Sequence, residues 1–330
     1  MYKAVLVFIV FLSLAFSTGN IAKAKNSMPF KSCINIGNAL DAPNDKWWGV
    51  TLQNRYFDVI KEAGFDAVRL PVRFSDYAKD SPGYVLDEQF MEKLDRHIDY
   101  ALKKKLVLIL DFHHFVEIMQ DPKAYKACFL AVWEQLAIRY KDYPPELIFE
   151  ILNEPQKKLC SKIWNEYMNE AVAIIRKHDA RRHIIIGGSF YNSMHFLDEL
   201  HIPKTDNIIL TFHYYEPETF TFQGNPYHEG FEHLKNIKWT ASKKEMKKLR
   251  ADFAIVKAFA EKNNLPVFLG EFGVTEEVPE KYREKWIKAV VAEAGKNAFA
   301  WGYWEFCSSF GIYDNKTKNW NDTLLDALLR

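Results

Sequence analysis

The chain has 330 residues, 48% of them apolar and 26% charged, with 44 basic against 43 acidic side chains and a formal net charge of +1. That balance argues against nucleic acid or an anionic membrane surface as the main partner, and four scattered cysteines make neither a disulfide framework nor a zinc knuckle. The distinctive quantity is aromatic content, 15% with nine Trp and sixteen Tyr, which suits a large core together with a cleft that stacks on sugar rings.

At the N-terminus, Lys3 precedes an apolar run from Ala4 to about Phe16, followed by small and polar residues. This is the pattern of a secretory signal peptide, and it falls short of the roughly 20 apolar residues of a bilayer span. Cleavage is expected after Ser17 or after Ala24. Residues 1–24 are therefore assigned to the leader and 25–330 to one secreted domain, free of the membrane once the leader is removed. No repeat or linker divides those residues, which are enough for a single large core. Cys128 and Cys160 form a candidate pair in an exported chain.

Strand-like runs then alternate with longer amphipathic ones. The strands are "CINIG" (33–37), "DAVRLPV" (66–72), "LVLILDF" (106–112), "LIFEILN" (147–153), "HIIIGG" (183–188), "IILTFHYY" (208–215), "PVFLGEFG" (266–273) and the run at 299–307. Helical patterns cover Asp87 to Lys105, Ala124 to Lys141, Ser161 to His178 and Pro279 to Lys296, and "KKEMKK" at 243–248 reads as a solvated helix face. Near-continuous apolar strands separated by helices predict a parallel sheet covered on its faces. Eight such units fit an α/β (β/α)8 TIM barrel, and no Gly-rich phosphate loop follows the first strand to favour a dinucleotide fold.

Polar residues gather at the C-terminal end of each run, which in a barrel is the rim where active sites sit. Asn38 and Asp41 follow the first strand, with Trp47 and Trp48 in the same loop. Arg69 ends the second strand, His113 and His114 the third, Asn153 and Glu154 the fourth. His213 and Tyr215 end the sixth, Glu271 the seventh and Trp304 the eighth. Two carboxylates on one rim suit glycoside hydrolysis, in which one carboxylic acid protonates the leaving oxygen and an ionised partner meets the charge developing at the anomeric carbon. Arg69 favours the ionised form of one of them, and Glu150, of the same strand parity as Glu154, is a second candidate partner for Arg69. No metal or other cofactor is required. Adjacent His113 and His114 are expected to point to opposite sides of a continuing strand, which argues against a shared metal. Trp301 and Tyr303, of opposite parity to Trp304, are expected to pack against helices.

"LIFEILNEP", "FLGEFG", "AVRLPV", "DFHH", "TFHYYEP" and "WGYWEF" resemble the motifs of glycoside hydrolase family five, the cellulase and mannanase family, over nearly the whole chain from "INIGNAL" onward. The resemblance is greatest to single-domain bacterial endo-β-1,4-glucanases. It implies Glu154 as general acid/base and Glu271 as nucleophile of a retaining double displacement, with the two carboxyl groups roughly 5 Å apart. It further implies that Asn153 holds the substrate 2-OH, that Tyr215 and Arg69 hold Glu271, and that Trp304 floors the site. His113 and His213 match other recurring site positions. His114 is either a second sugar ligand or structural, while Asn38, Asp41, Trp47 and Trp48 are candidate sugar contacts. The implied substrate is a β-linked glucan, with β-1,4-mannan or both as the alternative, and the implied enzyme is a monomer. Gln156 and Glu216 depart from the family pattern, the latter on the leaving-group side of the cleft.

Overall fold

The computed structural model describes residues 28–43 and 46–330, so the expected leader lies outside the described residues. Eight short strands carry the frame: β1 (Ser32–Asn35), β2 (Ala67–Val72), β3 (Val107–Phe112), β4 (Leu147–Glu150), β5 (Ile184–Gly187), β6 (Ile208–His213), β7 (Val267–Phe272) and β8 (Ala300–Tyr303). They close into a barrel in sequence order, and β1 pairs in parallel with both β2 and β8. The anticipated (β/α)8 architecture is thus present.

Helices Glu88–Lys103, Pro122–Tyr140, Ser161–His178 and Glu280–Lys296 fall within three residues of their expected limits. Local chemistry sets these ends. Asp87 caps the first of them by accepting from the Phe90 N–H, and Asp121 precedes Pro122, whose missing N–H costs nothing in a first turn. The "KKEMKK" segment opens a helix, Lys243–Asn263, behind a Ser242/Glu245 capping box. The unit after β5 departs from the pattern. In place of a long helix it has a left-handed stretch, Phe190 to Asn192, and a 3-10 turn, Met194–Glu199.

Side chains of alternate strand residues fill the barrel in layers. At the bottom, Cys33, Ala67, Val107, Ile109, Ile148, Ile185, Ile209, Phe268 and Ala300 make an apolar plug. Two residues further along β1, β2 and β4 come Asn35, Arg69 and Glu150, joined from β3 by Asp111, all with almost no exposure. The barrel interior therefore turns from apolar to ionic toward its C-terminal end. Trp301 and Tyr303 face outward, against Phe65 and Phe272, as their parity requires.

The expected Cys128–Cys160 pair is not formed: all four cysteines are free. Cys128 is buried in the helix Pro122–Tyr140, whereas Cys160 caps the next helix, and sequence spacing carries no information on that separation. No helix among the described residues is long and apolar enough to cross a membrane.

Candidate active site

Arg69 is the centre of the ionic layer. It is fully buried, and its Nε and Nη2 donate to both oxygens of Glu150 at 2.7 and 2.9 Å. Nη1 donates to Glu271 Oε1 at 2.8 Å and to Asn35 Oδ1 at 2.9 Å. Nη2 reaches Asp111 Oδ2 and Asn153 Oδ1, each at 2.9 Å. Both sequence-based partners of Arg69, the rim carboxylate and Glu150, are therefore bound at once, as a planar five-donor guanidinium permits.

Glu271 is the penultimate residue of β7, where Gly270 leaves room. A Cβ on Gly270 would lie 2.6 Å from Thr211 Oγ1 and 3.0 Å from His213 Nε2. The other carboxylate oxygen of Glu271, Oε2, accepts from the Tyr215 hydroxyl at 2.9 Å. Glu154 lies beyond the end of β4, held at a φ of 48°. The strand ends at Glu150, three residues before the expected limit, although Asn153 N–H still donates to the Phe112 carbonyl. Glu154 Oε1 is 2.8 Å from His213 Nδ1, which is itself 3.7 Å from Glu271 Oε2. One carboxylate oxygen of Glu154 and one of Glu271 lie within 4.8 Å of each other.

The two acids differ in what holds them. Burial pushes both carboxyls up. For Glu271 this is opposed by His213, the Arg69 guanidinium and the Tyr215 hydroxyl. For Glu154 burial dominates; the Arg69 charge, which makes no direct contact, opposes it, Glu218 and Glu150 add to it, and the carboxyl rises to about 8. One guanidinium cannot balance four clustered carboxylates, and of the two rim acids Glu154 has the weaker support from Arg69. Glu154 is therefore protonated near neutrality, while Arg69, His213 and Tyr215 favour the ionised form of Glu271 against its burial.

Trp304 lies parallel to the His113 ring, 5.7 Å between centroids at 3°. His113 Nδ1 is 2.5 Å from Asp111 Oδ2. His114 packs edge-on to His113 and to Trp48. Because β3 stops at Phe112 and His114 takes a φ of 52°, the two imidazoles do not point to opposite sides. They converge with Asp41, the three offering ligand atoms within 4.8 Å of one another, which corrects the alternation argument. Burial lowers both imidazoles well below their usual range, so both are neutral. Asn38, at a φ of 61°, donates to Ser308 Oγ at 2.7 Å. Trp47 stands apart from this group, 73% exposed.

Three residues of the network were not singled out from sequence. Asp111 bridges Arg69 and His113, and its place two residues beyond Ile109 on the inward face was the available signal. Asn35 has the same inward parity on β1. Asn192 had no signal: a left-handed loop delivers its fully buried amide to 3.4 Å from His213 Nε2. With Nδ2 donating there, the His213 proton sits on Nδ1, facing Glu154.

Comparisons with known proteins point to one family. The model of the cellulase family, glycosyl hydrolase family 5, matches residues 26–309. Endoglucanase H of Acetivibrio thermocellus is 31% identical over 300 residues, which are 89% of this chain and 32% of that protein, so the chain spans about a third of that relative's length. Endoglucanase C of the same species is 28% identical over 91% of this chain and 98% of its own length. Among solved structures, the clostridial cellulose synthase subunit Z from Clostridioides difficile superposes with a TM-score of 0.90 at 50% identity, covering 91% of this chain and all of that one. Thermotoga maritima Cel5A in complex with cellobiose gives 0.90 at 43% identity over 92% and 99% of the two chains. The same enzyme in complex with mannotriose gives 0.89 at 43% over 91% and 97%.

Proposed function

The chain belongs to the cellulase family, glycosyl hydrolase family 5, and from that premise we propose that it is an endo-β-1,4-glucanase acting with retention on internal bonds of cellulose and related β-glucans. The observation that carries the reading is the unlike pair of acids with one oxygen of each within 4.8 Å of the other, Glu154 protonated and Glu271 bound by Arg69 and Tyr215. Inverting enzymes keep roughly 6.5–9.5 Å between their carboxyl groups to admit a water; retaining ones keep about 5–5.5 Å.

In the first step Glu271 attacks the anomeric carbon while Glu154 gives its proton to the departing glycosidic oxygen. In the second, Glu154, now a base, takes a proton from the water that releases the glycosyl-enzyme. His213, donating from Nδ1, steadies the Glu154 carboxylate between the steps. Proton NMR of a cello-oligosaccharide during the first minutes of cleavage should show the β-anomer at the new reducing end; an initial α-anomer would refute the double displacement.

The protonation order sets the pH response. Activity needs Glu154 protonated, so kcat/KM should fall with rising pH above about 8. Glu154→Gln should remove that alkaline limb along with most of the activity. A limb unchanged in position in the residual activity of Glu154→Gln would assign it to another group.

Trp304 is proposed as the floor for a pyranose ring. Gly37 lies beneath its indole, and a Cβ at residue 37 would come within 2.8 Å of the ring. Gly37→Ala should tilt the floor and raise KM for a soluble glucan by about 10-fold or more, since small displacements of positioning groups are costly. A thermal melt close to that of the parent would separate this effect from misfolding.

Mannan is the second reading, supported by the mannotriose complex of Cel5A. A reducing-sugar assay on carboxymethyl cellulose, barley glucan, glucomannan and galactomannan decides between them: activity confined to the first two supports the glucanase. The likeness to a cellulose synthase subunit supports a setting beside glucan synthesis as well as breakdown. We further propose export of the enzyme, directed by the apolar N-terminal run, and action as a monomer.

A further inference from the structure

We infer that Asp41, His113 and His114 form a binding site for a divalent cation of borderline softness, Zn2+ or Cu2+, and that its occupancy blocks the cleft. The three side chains offer ligand atoms within 4.8 Å of one another. Some point must then lie within about 2.8 Å of all three, and zinc binds imidazole nitrogen and carboxylate oxygen at about 2.0–2.2 Å. Side-chain shifts of under about 1 Å close the site.

Each ligand has a free valence. Asp41 is fully buried, and Oδ1 accepts the Ala39 N–H at 2.9 Å while Oδ2 has no partner. A buried carboxylate oxygen without a donor is costly, and a cation satisfies it. His113 uses Nδ1 on Asp111, which leaves Nε2. That contact is the carboxylate–imidazole arrangement that orients a metal-binding histidine and raises its basicity. His114 has ring packing against His113 and Trp48, which fixes its plane beside the other two. Two imidazoles and one carboxylate select zinc or copper over magnesium or calcium, which take oxygen ligands.

The other cluster of similar dimensions, Glu154, His213 and Glu271, lacks this freedom. There His213 is engaged on Nδ1 by Glu154 and on Nε2 by Asn192. Glu271 is engaged by Arg69 on one oxygen and by Tyr215 on the other. A cation therefore prefers the Asp41 side, where it sits beside the indole of Trp304 that stacks on His113.

The test is isothermal titration of the full chain with zinc chloride, in a buffer that does not bind zinc. One ion per chain with a Kd on the order of 1 µM is expected. Asp41→Asn and His114→Gln, both near-isosteric, should each weaken binding about 10-fold or more, with melting curves verifying that the variants are folded. Glu154→Gln should leave the affinity as it is. Binding lost in Glu154→Gln but kept in His114→Gln, or no binding below 1 mM, overturns the site. Saturating cellotriose should weaken zinc binding. Zinc affinity unchanged beside a bound cellotriose overturns the blockade, and failure of cellotriose itself to bind counts against the glucanase reading, not against the metal site.

Discussion

Glu271→Ala is expected to lower kcat/KM on carboxymethyl cellulose by about 10⁴-fold or more, the scale on which removal of a covalent nucleophile acts. The barrel holds the carboxylate on both sides, with Arg69 on one oxygen and Tyr215 on the other. Alanine removes the attacking atom and leaves a space lined by those two donors. A small anion such as azide fits there, so added azide should restore cleavage of an activated aryl cellobioside and give a glycosyl azide of α configuration. Glu154→Ala should behave differently. Its first step should survive on a leaving group acidic enough to need no proton, and azide should give the β product. The two variants thus separate the roles by product stereochemistry, and near-normal turnover by Glu271→Ala would end the assignment.

Arg69→Leu should destabilise the fold as well as abolish activity. The guanidinium is fully buried against Asp111, Glu150 and Glu271, at 2.9, 2.7 and 2.8 Å. Leucine strands those carboxylates in the barrel. Removing one partner of a buried ion pair costs about 3–5 kcal/mol, which for a chain of this size lowers Tm by roughly 5–8 °C. The stranded acids would have raised pKa values in the folded state. Their penalty applies where they must ionise and vanishes where they are protonated, so the Tm gap between variant and parent should narrow as pH falls. Adding Glu150→Gln removes one stranded charge and should recover part of the loss. A single variant melting within 2 °C of the parent would refute this account of the layer.

The barrel, its strand order and the rim on which the polar residues gather follow from patterns only a few residues long. Apolar runs with helical stretches between them dictate a parallel sheet, and alternation along β2, β3 and β4 places Arg69, Asp111 and Glu150 on one inward face. The helix limits at Asp87 and Asp121 are equally local, because a cap needs only the residues of its own turn. These features depend on the chain's own periodicity, and the sequence alone determined them.

Other features were settled only when distant segments met. Whether His113 and His114 diverge or converge depends on where β3 stops and on the positive φ of His114, a conformation that neighbouring segments must support. Asn192 reaches His213 through a left-handed loop with no periodic signature. That Cys128 and Cys160 stay unpaired, and that Glu154 has less support from Arg69 than Glu271 has, likewise required the folded arrangement. Alternation tells which face a side chain takes, but burial, charge balance and backbone strain are sums over the whole packed interior, and only the tertiary structure decided them.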